Sequence, residues 1–285
     1  MSRLAELNAL TDGSDGFVWR LRRVAIITSM AGAIAITRAV SSGLAACELT
    51  HLARVPIDIV AARAQHADYE RALAGAGYRV ERLEAGADMP DSVFVEDMAI
   101  VFDELAILTR PGAVSRRREM PAIAAALKPY RSFQEILAPA TVDGGDVLVA
   151  GRHVFVGLST RTNDAAVTQM RGILEPLGYT VVPTEVGGCL HLKSAVTALD
   201  DDRLLVNPEW IDRAAFGPFT LIEVAPEEPS AANVLRLADR IIVAKAFPRT
   251  AGRIAALGLR IEPVEASELA KAEGAVTCCS LIVRR

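Results

Sequence analysis

The sequence predicts an α/β chain of about five strand, strand, helix, strand units closed into a propeller-like ring. Three observations carry this. The first is a recurring junction in which a glycine ends a helical stretch and opens a strand: Gly77-Tyr78-Arg79-Val80, Gly178-Tyr179-Thr180-Val181 and Gly258-Leu259-Arg260-Ile261. Glycine suits the left-handed conformation that stops a helix. The second is the period upstream: residues 57–76, 164–177 and 249–257 place apolar side chains at steps of three and four, the mark of an amphipathic helix. The third is a set of strand pairs around tight polar turns. They are 99–102 with 105–108, 147–150 with 153–157, 196–199 with 203–206, and 234–237 with 240–243.

Helices near 115–127 and 208–215 complete the units. The first unit lacks its opening strand, and residues 279–284 are predicted to supply it by pairing with 33–38, so that the two ends of the chain close the ring. A doubly wound parallel sheet is the competing fold, but its crossovers do not need so many hairpins. The glycine pairs Gly144-Gly145 and Gly187-Gly188 also lack the spacing that cradles a phosphate.

At 285 residues the chain exceeds the usual domain size, yet propellers of this length fold as one unit. The expected organisation is an extension over 1–29, disordered or a mis-assigned start before Met30, followed by one domain over 30–285. Arg20-Leu21-Arg22-Arg23 and the apolar residues after it look like parts of a signal peptide, but residues 33–37 are needed as a core strand. No unbroken run of about 18 apolar residues is present, so no membrane anchor is expected. Hydrophobic residues make up 51% and charged residues 23%, with a net charge of −4. Such a chain can bury a large core and has no affinity by charge for nucleic acid. Its four cysteines, Cys47, Cys189, Cys278 and Cys279, form no disulfide framework, which points to a reducing, cytoplasmic setting.

Thr277-Cys278-Cys279-Ser280 follows a loop and precedes the closing strand, a place where a thiolate can face a cavity. His191, between Gly187-Gly188-Cys189-Leu190 and an expected strand over 192–196, is the best placed base of the four histidines. His51, His66 and His153 fall on a loop, a helix and a hairpin strand, where solvated or packed roles are commoner. Val142-Asp143-Gly144-Gly145-Asp146 sets carboxylates around glycines that permit close backbone approach; a plain turn reads the same way. Residues 92–97 read as an apolar strand ending in Glu96 and Asp97, which either hold a planar cation or mark an exposed strand end. Arg116-Arg117-Arg118 reads as a solvated helix start, and Arg161 as a better carboxylate clamp.

Taken together, SVFVED (92–97), TRPGAVSRR (109–117), VDGGDVL (142–148), FVGLSTRTN (155–163), LHLKS (190–194) and TCCS (277–280) resemble dimethylarginine dimethylaminohydrolase, from about residue 33 to the C-terminus. The resemblance implies the guanidine-modifying superfamily and its five-bladed pseudo-symmetric α/β propeller, the pentein fold, with the active site in the central channel. It implies Cys278 as nucleophile, His191 as general acid and base, and Asp143 as its orienter. Asp97, with Glu96 beside it, would hold the substrate guanidinium, and Arg116 and Arg161 the α-carboxylate. Asp91 and the backbone of Ala272 would receive the α-amino group, and Leu49 in the loop 41–56 would act as a lid. The implied reaction converts Nω-methylated arginines to citrulline and needs no metal or organic cofactor; the expected partner is a small-molecule substrate, and a homodimer is the assembly considered.

Arginine deiminases generally carry an aspartate two residues after the histidine, where this chain has Lys193. A methylated nitrogen lacks the N–H such an acid would need, so its absence favours methylated arginine. The alternatives are a deiminase or another guanidino-compound hydrolase and, from a different class, a zinc-binding or redox-responsive protein using Cys189, Cys278, Cys279 and His191. Adjacent cysteines fit zinc-ligand spacing poorly.

Overall fold

The structure, a computed structural model, describes residues 32–284; the extension 1–29 and the Met30 start lie outside them. Five three-stranded sheets form five blades, each with an inner strand antiparallel to a middle strand and an outer strand parallel to it. Blade 1 joins the chain ends: β1 (Ile34–Arg38) pairs in parallel with β2 (Arg79–Leu83) and antiparallel with the last strand, Leu281–Val283, in the register Ile34 to Val283 and Ile36 to Leu281. The predicted closure of the ring is therefore present. Blade 2 holds β3 (Ala99–Val101), β4 (Ala106–Leu108) and β5 (Phe133–Glu135), and blade 3 holds β6 (Val147–Ala150), β7 (His153–Leu158) and β8 (Thr180–Glu185). Blade 4 holds β9 (Val196–Ala198), β10 (Arg203–Val206) and β11 (Thr220–Glu223). Blade 5 holds β12 (Leu235–Arg236), β13 (Ile241–Ala244) and β14 (Ile261–Val264), which makes Leu281–Val283 strand β15.

Helices bridge middle and outer strands. Helix α1 (Ile59–Gly75) starts where the Asp58 carboxylate accepts the N–H groups of Val60 and Ala61, and the chain leaves it through Gly77 at φ 90°. Helices α2 (Met120–Leu127) and α3 (Asp164–Leu174) serve blades 2 and 3, a one-turn α4 (Leu192–Ala195) precedes β9, and α5 (Pro248–Ala256) serves blade 5. Gly178 and Gly258 take φ values of 84° and 80°, as their cap positions require. The helix expected over 208–215 is absent: blade 4 has only a 3₁₀ turn, Arg213–Phe216, capped by Asp212 and followed at once by Gly217 and Pro218. No described helix is long and apolar enough to cross a membrane.

The middle strands are buried on both faces, while the outer strands are partly exposed. Along β1, Ala35 faces α1 with Tyr69 and Leu73, while Ile34 and Ile36 face blade 2 with Ile123 and Leu127, the alternation a strand imposes. Truncating a fully buried leucine such as Leu73 to alanine is expected to cost about 2–5 kcal/mol. Blades 3 and 4 lock through Phe155, whose ring lies 4.6 Å from Phe216 and 5.8 Å from Phe219. This packing holds the inner strands around a central channel.

Candidate active site

Segments just before the inner strands place the polar side chains of the channel. Residues 92–98 are not the expected strand: Phe94 N–H bonds to Asp91 O, and Val95–Met98 coil into a 3₁₀ turn. Successive residues of such a turn point about 120° apart, so Glu96 and Asp97 face opposite ways. Asp97 turns into a cavity shared with Cys278, His191, Asp143, Asp91, Arg116, Arg161 and the backbone of Ala272. The four segments before β3, β6, β9 and β15 thus supply Asp97, Asp143, His191 and Cys278.

Glycines permit the approach. A Cβ on Gly145 would lie 2.5 Å from Nδ1 of His191 and 2.9 Å from Oδ1 of Asp97, and one on Gly144 2.0 Å from the carbonyl of Glu96. The Gly145 N–H instead donates to Asp97 Oδ1 at 3.0 Å. Asp146, absent from the expected site, has no exposure; its carboxylate accepts from Ser159, Thr162 and the N–H of Leu192, tying the Arg161 loop to the His191 turn. Leu192–Ala195 is a helical turn rather than the expected start of a strand, because Ser194 N–H returns to His191 O.

His191 Nε2 lies 3.2 Å from Asp143 Oδ2 and Nδ1 lies 3.9 Å from Asp97 Oδ1. Burial favours neutral imidazole, but Asp97, Asp146 and Asp143 outweigh it and push the pKa up to about 9, so His191 carries its proton at neutral pH. Asp97 is pulled by burial toward the neutral acid, yet His191 and Arg116 hold it below the usual carboxylate range. Burial, then Glu96 and Asp97, push the Cys278 thiol up to about 12. At neutral pH the site therefore holds a thiol, an imidazolium and carboxylates: it is built to accept a cation that would release the thiol proton.

Arg116 is buried, not part of a solvated face. It donates through Nε and Nη2 to Glu119, through Nη1 to Asp97 at 2.5 Å, and through Nη2 to the carbonyls of Asp91 and Phe94. That set leaves one Nη1 hydrogen beside the cavity. Asp91 accepts the N–H of Glu48, and burial raises its pKa to about 6. Arg161, half-buried, donates to Thr50 Oγ1 at 3.0 Å.

Two expected site residues do not line this cavity. Glu96 turns to the opposite half of the channel, where its carboxylate meets Lys193 at 2.5 Å and Thr277 at 2.8 Å. Leu49 packs onto the core that contains Phe94, Ala272 and Cys278, and from its loop it is Glu48 that lines the cavity. Cys279 does not begin the closing strand; residues 276–279 form a turn, and Cys279 is buried with its Sγ 3.6 Å from Ala275 O. Sequence reasoning also missed Glu273 at the cavity mouth, at φ 58°, whose carboxylate accepts the N–H groups of Thr50, His51 and Leu52. A polar residue before glycine in a loop was the only signal for it.

Asp97, Asp143 and His191 place ligand atoms within 4.8 Å of one another, the one such metal-capable group among the described residues, and no cysteine joins it. With Arg116 on Asp97 and a proton on His191, the trio suits an organic cation better than a metal ion.

No protein-family model matches the sequence. The chain is 40% identical over 251 residues to the N(G),N(G)-dimethylarginine dimethylaminohydrolase of Streptomyces coelicolor, covering 88% of this chain and 96% of that protein. Its fold superposes on the Pseudomonas aeruginosa enzyme, a cysteine-to-serine mutant complexed with citrulline, with a TM-score of 0.83 at 36% identity, covering 87% of this chain and 98% of that one. A histidine-to-glycine dimethylarginine dimethylaminohydrolase, captured as an adduct with S-methyl-L-thiocitrulline, superposes with a TM-score of 0.82 at 35% identity over the same shares. With that likeness spanning the whole ring and its channel, the chain belongs to the dimethylarginine dimethylaminohydrolase family.

Proposed function

We propose that this protein hydrolyses Nω,Nω-dimethyl-L-arginine and Nω-monomethyl-L-arginine to L-citrulline and dimethylamine or methylamine through a thiouronium on Cys278. The observation that carries the reading is the buried Asp97 carboxylate in one cavity with the Cys278 thiol and a protonated His191. A guanidinium entering this cavity pairs with Asp97 and adds a positive charge beside the thiol. The thiol then loses its proton to solvent, and the thiolate attacks the guanidinium carbon.

The adduct is neutral. His191 gives its proton to the methylated nitrogen, the C–N bond breaks, the amine leaves, and a cationic thiouronium remains on Cys278. Neutral His191, oriented by Asp143, then takes a proton from water as its oxygen bonds to the same carbon. The C–S bond breaks with its electron pair going to sulfur, and citrulline leaves after losing a proton. Arg161 and the remaining Nη1 hydrogen of Arg116 receive the α-carboxylate, and Asp91 with the Ala272 carbonyl receives the α-amino group; all lie along the same cavity.

Lys193 in place of a second guanidinium-binding acid supports methylated arginine over arginine. Citrulline release is the test: kcat/KM for dimethylarginine is expected to exceed that for arginine, and the reverse order would replace this reading with a deiminase. We also propose cytoplasmic placement, supported by four unpaired thiols that a reducing compartment preserves. A homodimer is the proposed assembly, and light scattering decides it.

A further inference from the structure

Beneath the nucleophile lies a polar network that makes no contact with the reacting atoms in the proposed hydrolysis. Lys193 Nζ, in the helical turn after His191, contacts Glu96 Oε1 at 2.5 Å. The other oxygen of Glu96 accepts the Thr277 hydroxyl at 2.8 Å, and the Glu96 N–H donates to the Cys278 carbonyl at 3.1 Å. Asn233, just before β12, donates to the Thr277 hydroxyl at 2.9 Å and to the Lys193 carbonyl at 3.0 Å, and accepts the Thr277 N–H at 3.1 Å. Blade 5 gives no side chain to the cavity, and this is its contribution. Glu96, Lys193 and Thr277 line the half of the channel opposite the cavity, so they lie behind its lining.

Glu96 and Asp97 are adjacent carboxylates next to a sulfur that must become negative. Asp97 has Arg116 and His191 as counter-charges. Glu96 has Lys193. We propose that Lys193 is a positioning residue for the reaction: by holding Glu96 as a closed ion pair against Thr277, it cancels the charge that would oppose a thiolate at Cys278 and fixes the turn that presents it. Around this turn lie Asp97, His191, Arg116 and Glu273 on the cavity side and Tyr69 of α1 and Cys279 behind it, while Asp103, Arg131, Asp201, Arg236 and Arg284 line the same half of the channel as Glu96 and Lys193. Burial followed by Glu96 are the largest influences raising the Cys278 pKa, and Lys193 acts against them.

The proposal rests on Cys278 being the nucleophile of the proposed hydrolysis, so its test has a readout apart from turnover. Alkylation of Cys278 by iodoacetamide, located by mass spectrometry, is followed from about pH 6.5 to about pH 10 in the wild type, Lys193→Met, Glu96→Gln and the double variant. A shift of one pKa unit changes the thiolate fraction about tenfold below the pKa. Lys193→Met is expected to alkylate about tenfold more slowly, with a fall in kcat larger than any change in KM. Glu96→Gln is expected to alkylate about tenfold faster, and the double variant to return within about threefold of wild type. Failure of Glu96→Gln to accelerate alkylation, or a double variant as slow as Lys193→Met, overturns the proposal. If Lys193→Met does not fold, the near-isosteric Glu96→Gln decides alone. Should the wild type alkylate at Cys278 yet release no citrulline from methylated arginines, the functional reading fails while the alkylation series still judges the ion pair.

Discussion

At the floor of the cavity, Asp97, Asp143, His191 and Cys278 are between 1% and 9% exposed; at its mouth, Glu48 is exposed and Arg161 and Glu273 are half-buried. The floor residues come from four blades and precede inner strands that are mostly buried. The mouth residues touch the loop 41–56: Glu273 holds three successive backbone N–H groups, Ser115 bonds to Glu48, and Arg161 bonds to Thr50. Charges on the floor need partners at all times, because an unpaired buried charge is costly. Those at the mouth are screened by water and can exchange a loop contact for a ligand at little cost. The difference separates a preorganised reaction centre from an entrance that can open.

Substitutions on the floor are expected to reduce the chemistry, and the largest effect belongs to the sulfur. Cys278→Ser is expected to lower citrulline formation by more than about 10³-fold with the fold intact by circular dichroism, while Cys279→Ser stays within a few-fold. The opposite result would shift the nucleophile by one residue. His191→Gln is next, at about 10²- to 10⁴-fold in kcat.

The floor also sets the pH profile. Because His191 must carry a proton to expel the amine, kcat is expected to fall as pH rises through about 9. Asp143→Asn removes a carboxylate that stabilises the imidazolium, so this limb is expected to move about one unit toward acid. A limb that stays in place would show that His191 is not the group titrating.

Changes at the mouth are expected to be smaller and of another kind. Glu273→Ala removes the acceptor for Thr50, His51 and Leu52, and is expected to raise KM about three- to tenfold with kcat nearly unchanged. Faster tryptic cleavage after Arg54 in the same loop would report its release. The smallest effect concerns stability. His191 has a pKa raised from 6.5 to about 9, so its contribution is fully present below about pH 6.5 and is lost as pH rises through 9. The wild-type Tm is expected to fall over that window, and His191→Gln to flatten the fall.

Much of the ring was legible because its signals are local. Gly77, Gly178 and Gly258 stop helices, turns such as Gly151-Arg152 enforce hairpins, and pairing of the two chain ends followed from a missing strand. Blade 4 misled because residues 208–215 have helical composition, but Asp212 caps only a single 3₁₀ turn before Gly217-Pro218 ends it. At the site, residue types in the motifs pointed to Cys278, His191, Asp143 and Asp97, which the fold brings into one cavity. The directions of Glu96 and Leu49 were not legible, because they depend on how a 3₁₀ turn and a loop pack against other blades.

The repeat and the closure of the ring follow from periodicity and short-range turn chemistry, and the thiol, imidazole and carboxylates of the site are carried by the six family-like motifs. Folding in three dimensions turns Asp97 into the cavity of the thiol and Glu96 toward Lys193, and buries Arg116 against Asp97 and Glu119. It also sets the pKa of His191 at about 9, through neighbouring carboxylates, and that of Cys278 at about 12, through burial and Glu96. Those properties arise from burial and from charges on different blades, separated by tens of residues in the chain and brought within a few ångströms by folding.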